Sequence, residues 1–82
     1  MAHVYILKSF RDDGFYIGST RNLDNRIRRH FKGRSKSTKN RLPLELVYKK
    51  EFENYSEAAK FEYYIKRQKS RKFIESLIQG NK

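Results

Sequence analysis

Tyr5, Tyr16, Arg26, His30 and Glu62 are the side chains of this sequence whose types and spacing could do chemistry together. Cleavage of a phosphodiester needs a group to activate water, positive charge against the developing oxyanion, and a metal or acid for the leaving oxygen. It also needs a channel for the nucleic-acid backbone. A phenol, a guanidinium, an imidazole and a carboxylate supply these parts. Each residue also has an ordinary reading: tyrosine is a favoured strand residue, an arginine can snorkel, a histidine can be a satisfied boundary residue, and Glu62 can pair with Lys66 or Lys69.

Local periodicity weighs between the two readings. His3 to Ser9 and Phe15 to Ser19 read as strands joined by the turn Arg11-Asp12-Asp13-Gly14. Side-chain direction alternates along a strand, so a four-residue turn that sets Phe10 opposite Phe15 puts Tyr5, Leu7, Tyr16 and Gly18 on one face; a two-residue Asp13-Gly14 loop gives the same face. Glycine in a strand loses packing and marks a place of close approach. On a helix through Leu23, Ile27 and Phe31, Arg26 and His30 lie along the apolar stripe, whereas Arg28 and Arg29 lie on the far side. On the next helix Glu62 borders the stripe of Ala58, Phe61 and Ile65.

The elements that must position these groups follow. Ser19, Thr20 or Asn22 caps the first helix, which Gly33 stops after Phe31. Lys32 to Arg41 contains no apolar residue and reads as a mobile, solvent-exposed loop. A third strand runs from Leu44 to about Phe52, Ser56 caps a helix over Glu57 to Gln68, and Ser70 caps a last helix that ends at Gly80. The expected architecture is α+β: one domain over residues 1–82, a small three-stranded antiparallel sheet flanked by three helices.

Charge narrows the partner. Twenty Lys and Arg against nine Asp and Glu give +11, an excess that points to a polyanion. Nine basic residues and one acid fall between Arg21 and Arg41, and five basic residues fall between Lys66 and Lys72. Two such blocks can wall one groove, with Arg21, Arg28, Arg29, Lys32, Arg34, Lys36, Lys39, Lys66, Lys69 and Arg71 as its phosphate contacts. No cysteine is present, so a thiolate zinc site is excluded. Apolar runs such as Val4 to Leu7 are far too short to span a membrane, and no signal-peptide pattern opens the chain, so a cytoplasmic location is expected.

Taken in order, these residues resemble the GIY-YIG nucleases, especially small single-domain bacterial ones. The first family tripeptide corresponds to His3-Val4-Tyr5 and the second to Tyr16-Ile17-Gly18, with ten residues between the tyrosines. The helix signature appears as Asn22-Leu23-Asp24-Asn25-Arg26 followed by His30, and Glu62 stands at the family's acidic position. The resemblance implies a metal-dependent endonuclease that hydrolyses phosphodiester bonds in DNA, including structured or damaged DNA in repair or recombination. RNA is not excluded as a substrate, and a protein partner could supply specificity. It further implies that Tyr5 orients or deprotonates the attacking water with Tyr16 hydrogen-bonded to it, Arg26 binds the scissile phosphate, His30 relays a proton and Glu62 holds one Mg²⁺ or Mn²⁺ ion. Adjacent Arg26, the basic groove and a bound metal are expected to push Tyr5 toward phenolate. Two departures stand out: His3-Val4 replaces Gly-Ile, and the asparagine that some members carry in the last helix is missing from Arg71 to Gln79, Asn81 lying beyond it. That loss keeps a second function open, a non-catalytic nucleic-acid binder on the same fold.

Overall fold

A computed structural model describes residues 1–36 and 38–80; Asn81 lies outside the described residues. The order is β1 (Ala2–Ser9), β2 (Phe15–Thr20), α1 (Leu23–Phe31), β3 (Leu44–Phe52), α2 (Tyr55–Gln68) and α3 (Arg71–Gly80). The three strands form one antiparallel sheet in the order β2-β1-β3, the expected α+β architecture.

β1 is apolar on both pleat faces because it is central and covered on both. Ala2 and Val4 pack with Ala58 and Ile65 of α2, and Phe61, Phe73, Ile74 and Leu77 close this core from α2 and α3. The opposite pleat face carries Tyr5, Leu7 and Ser9, all buried, and α1 and the segment after it cover that face. A bulge between Ile6 and Leu7 leaves Val47 unpaired on β3, so the simple alternation of Leu44, Leu46 and Tyr48 is broken there.

The β1–β2 register differs from the expectation by two residues: Lys8, not Phe10, faces Phe15. The connection is longer because the Ser9 amide donates to the Gly14 carbonyl, the Gly14 amide donates to Asp12 Oδ1, and Asp13 takes a left-handed φ of 60°. A shift of two preserves side-chain parity. Tyr5, Leu7, Tyr16 and Gly18 therefore do share a face.

Helix ends are set by side-chain caps. Asn22 accepts from the Asn25 amide at the start of α1, and Asn54, not Ser56, accepts from the Glu57 amide to begin α2. The Ser70 hydroxyl accepts from the Phe73 amide to begin α3. Lys69 closes α2 in the left-handed region, at φ 47° and ψ 39°.

The loop after α1 departs from expectation. Ser35 O accepts from the amides of Thr38 and Lys39, Thr38 O accepts from the Arg41 amide, and Thr38 is wholly buried. The segment is polar because its polar groups are consumed internally, not because all of it faces water.

Candidate active site

Tyr5 and Gly18 are directly paired across β1 and β2, and the phenol lies over the glycine so closely that a Cβ on Gly18 would collide with the ring and its hydroxyl. The absent side chain is what lets the Tyr5 hydroxyl cross toward the open edge of the sheet. There it meets His30 Nε2 at 3.0 Å, with the rings edge to face. His30 Nδ1 lies 2.7 Å from Thr38 Oγ1.

α1 delivers His30 and Arg26 because its start is fixed: Thr20 Oγ1 accepts from the Asn22 amide, and Asn22 caps the first turn. Arg26 lies one turn before His30 and is half-buried. Among the described residues nothing hydrogen-bonds or ion-pairs with its guanidinium. At the last turn of α1 the expected stripe gives way: His30 is buried while Phe31 is 45% exposed. The imidazole is the better inward group here because Tyr5 and Thr38 satisfy both its nitrogens.

Glu62 reaches the same edge from the other side of the sheet. Ser19 pairs with Val4 and so faces α2, and its hydroxyl donates to Glu62 Oε1, while Lys66 Nζ donates to Oε2 at 2.7 Å. The ordinary reading of Glu62 as an ion-pair partner is thus realised, beside its proximity to Tyr5. The site wraps the edge of β2, with Tyr5, Arg26 and His30 on one face and Glu62 on the other. A cleft of about 330 Å³ opens there between Ser19, Thr20, Arg21, Asn22, Arg26 and Tyr55. Arg21 lies 5.2 Å over the exposed Tyr55 ring.

Electrostatics corrects one expectation. Burial raises the Tyr5 phenol above its ordinary value, Arg26 pulls it down, and the charges of Glu62 and Tyr55 raise it again. The upward causes win, so Arg26 by itself does not make Tyr5 a phenolate. Burial lowers His30, and the positive charges of Arg26 and Arg29 lower it further. The imidazole is therefore held neutral, with one nitrogen free to accept a proton.

Tyr16 is the residue the structure does not bring to this set. Its hydroxyl donates to Asp12 Oδ2 at 2.8 Å and accepts from Arg41 Nε at 2.9 Å, and Arg41 and Asp12 pair with each other. The expected hydrogen bond to Tyr5 is replaced by this network because Asp12, held in the hairpin turn by the Gly14 amide, is the nearer acceptor.

The ten expected phosphate contacts are all exposed, but they are not equivalent. Arg71 donates to the Asp13 carbonyl and pairs with Asp13 and Glu75, and its guanidinium lies 4.5 Å over the Phe15 ring. Lys66 is held by Glu62. Arg28, Arg29, Lys32, Arg34, Lys36, Lys39 and Lys69 have no side-chain partner among the described residues.

Residues 1–74 match the family model described as the GIY-YIG catalytic domain. The chain belongs to the GIY-YIG family. It is 48% identical to a UPF0213 protein of Clostridium perfringens over 68 residues, 82% of this chain and 72% of that one. A UPF0213 protein of Staphylococcus haemolyticus is 44% identical over 77 residues, covering 89% of this chain and 93% of the relative. The solution NMR structure of a UPF0213 protein from Bacillus halodurans superposes with a TM-score of 0.61 at 37% identity, over 96% of this chain and 84% of that one. That likeness agrees with the sheet and three helices described above.

A GIY-YIG domain points to nuclease chemistry, for which a divalent metal is typical. Among the described residues no three His, Asp or Glu side chains cluster, and Glu62 is the carboxylate that the sequence put forward for the ion. That fits a hard cation such as Mg²⁺, which keeps several waters and takes one or two carboxylates together with phosphate oxygens. Ser19 orients one oxygen, and the other is held by an exposed, flexible lysine that a cation can displace. No described helix is long and apolar enough to cross a membrane.

Proposed function

We propose that this GIY-YIG chain is a Mg²⁺- or Mn²⁺-dependent endonuclease that hydrolyses phosphodiester bonds in DNA, with Tyr5, Arg26, His30 and Glu62 as its working residues. The observation that carries this reading is the half-buried Arg26, whose guanidinium has no partner among the described residues, beside the Tyr5–His30 pair and a cleft at the β2 edge. An arginine that lines a cleft and has no ion-pair partner of its own is available to a phosphate, which its planar guanidinium holds bidentately.

In this mechanism the attacking water forms the new bond to phosphorus as its proton passes to Tyr5 Oη. Tyr5 simultaneously gives its own proton to His30 Nε2, so the phenol never has to be a free phenolate. Arg26 neutralises the charge that builds on the non-bridging oxygens. The phosphorus–oxygen bond to the leaving group breaks and the alkoxide is protonated from solvent; His30 then takes back its starting form as Tyr5 releases the water's proton to solvent and recovers its own from Nε2. A divalent cation held by Glu62 would neutralise charge on the leaving oxygen and offset the carboxylate's upward push on Tyr5. Arg28, Arg29, Lys32, Arg34, Lys36 and Lys39 guide the DNA backbone without reading its bases, so substrate choice rests on DNA shape.

The test is a cleavage screen over plasmid, nicked, flap, branched and RNA substrates with and without Mg²⁺. Wild type is expected to cut a DNA substrate only with the metal, and Arg26→Ala to lose roughly 100- to 1,000-fold in kcat. Equal cleavage by wild type and Glu62→Ala sinks the reading.

One observation favours a second reading, a non-catalytic binder on the same fold: both Glu62 oxygens already have partners. It predicts steeply salt-dependent DNA binding that is unchanged by Glu62→Ala and weakened at Arg28 or Arg29.

A further inference from the structure

Thr38 is buried within a segment that otherwise offers only polar and charged side chains, and its hydroxyl meets the nitrogen of His30 that does not face Tyr5. The segment carrying it is fastened on both sides. At its start the Arg34 amide donates to the Arg29 carbonyl. At its end the Ser9 hydroxyl donates to the Arg41 carbonyl, and the Arg41 guanidinium is held by Asp12 and Tyr16. Two residues further on, the Phe10 amide donates to the Pro43 carbonyl at 3.0 Å.

We propose that Thr38 is a positioning residue that accepts the Nδ1–H of His30, fixing the tautomer whose bare Nε2 receives the Tyr5 proton, and that Tyr16 serves the same end by anchoring Arg41. This rests on the relay set out above. A neutral imidazole donates from one nitrogen and accepts at the other, so the partner of Nδ1 decides the role of Nε2. Burial and Arg26 keep His30 neutral, and burial keeps Tyr5 protonated. Among the described residues the only hydrogen-bond partner of the Tyr5 hydroxyl is His30 Nε2. The phenol proton therefore points at Nε2, which must then be bare, and Nδ1 must carry the imidazole proton toward Thr38 Oγ1. The opposite tautomer would turn the Tyr5 proton away from the ring and leave no acceptor for it among the described residues. In this account Tyr16 is a positioning residue at a distance, holding the strap that holds the threonine.

The experiment is long-range ¹⁵N–¹H correlation of the His30 ring in wild type, Thr38→Val and Thr38→Ser, with amide spectra to confirm that each is folded. Wild type and Thr38→Ser are expected to show protonated Nδ1 and bare Nε2, and Thr38→Val a mixture of tautomers or the reverse one. In the cleavage assay Thr38→Val should lower kcat by about 10- to 100-fold with KM nearly unchanged, the usual effect of removing a supporting hydrogen bond, while Thr38→Ser restores most of it. A wild-type ring protonated at Nε2, or a ring spectrum unmoved by Thr38→Val, overturns the assignment whatever the nuclease assay gives. A chain that cuts no DNA yet shows the tautomer and its loss in Thr38→Val supports the assignment and overturns only the proposed reaction.

Discussion

Two phenols stand on one face of one hairpin, and their surroundings could hardly differ more. Around Tyr16 every charge is answered: Asp12 pairs with Arg41, the hydroxyl bridges both, and nearby Arg71 is paired with Asp13 and Glu75. Around Tyr5 the cation is left over, the imidazole is neutral, and a cleft stands open at the sheet edge. Both regions set a phenol near an arginine and a carboxylate. What separates a clamp from a site is whether the charges have already found one another.

The sharpest way to break this contrast is to remove each hydroxyl in turn. Tyr5→Phe should lower kcat by roughly 100- to 10,000-fold, the range for losing a general base, with DNA affinity measured by fluorescence anisotropy unchanged. Tyr16→Phe should lower kcat by less than about tenfold and cost about 0.5–1.5 kcal/mol in urea unfolding, as for one hydrogen bond. Equal catalytic losses would show that the two phenols share a role. Gly18→Ala comes next: displacing the Tyr5 ring by about 1 Å should cost roughly 100-fold in rate, and the Tyr5–His30 nuclear Overhauser contact should weaken. An alanine variant with full activity would mean that the close approach over Gly18 is unnecessary.

The smallest effect is in titration. His30 is lowered by burial first and by Arg26 and Arg29 next, so its NMR midpoint should fall below about 6.5, the ordinary histidine value, and rise toward it in Arg26→Ala. As pH falls through that ordinary value the unfolded chain takes up the proton first. The contribution of His30 to stability therefore declines from there down to its folded midpoint, and is flat below it. A wild-type midpoint above the ordinary value would place a negative partner beside the ring and contradict the neutral pair.

Much of this was legible in the residues because parity and helical phase survive errors of detail. Tyr5 and Tyr16 share a face in any register with the same parity, so a connection two residues longer than expected changed nothing about their direction. Arg26 and Glu62 border their helices' apolar stripes, and both are half-buried in the folded chain. What periodicity could not show is where hydroxyl and carboxylate groups find partners across the fold. Tyr16 was expected beside Tyr5, but Asp12 lies nearer once the turn closes. Thr38 gave no signal at all, since its segment has no apolar pattern and its burial is decided by a histidine eight residues earlier. Serine and asparagine caps are chemically alike, which is why Asn54 rather than Ser56 opens α2.

The joint between α2 and α3 carries one more consequence. Lys69 occupies a left-handed conformation that a glycine would adopt freely and that costs an L-residue with a side chain roughly 1–2 kcal/mol. Torsional strain is thus tolerated at a position whose exposed ammonium has no partner among the described residues. It lies three residues beyond Lys66 and directly before the Ser70 that caps α3, so the strain is what it costs to end one helix and start the next within two residues without a glycine.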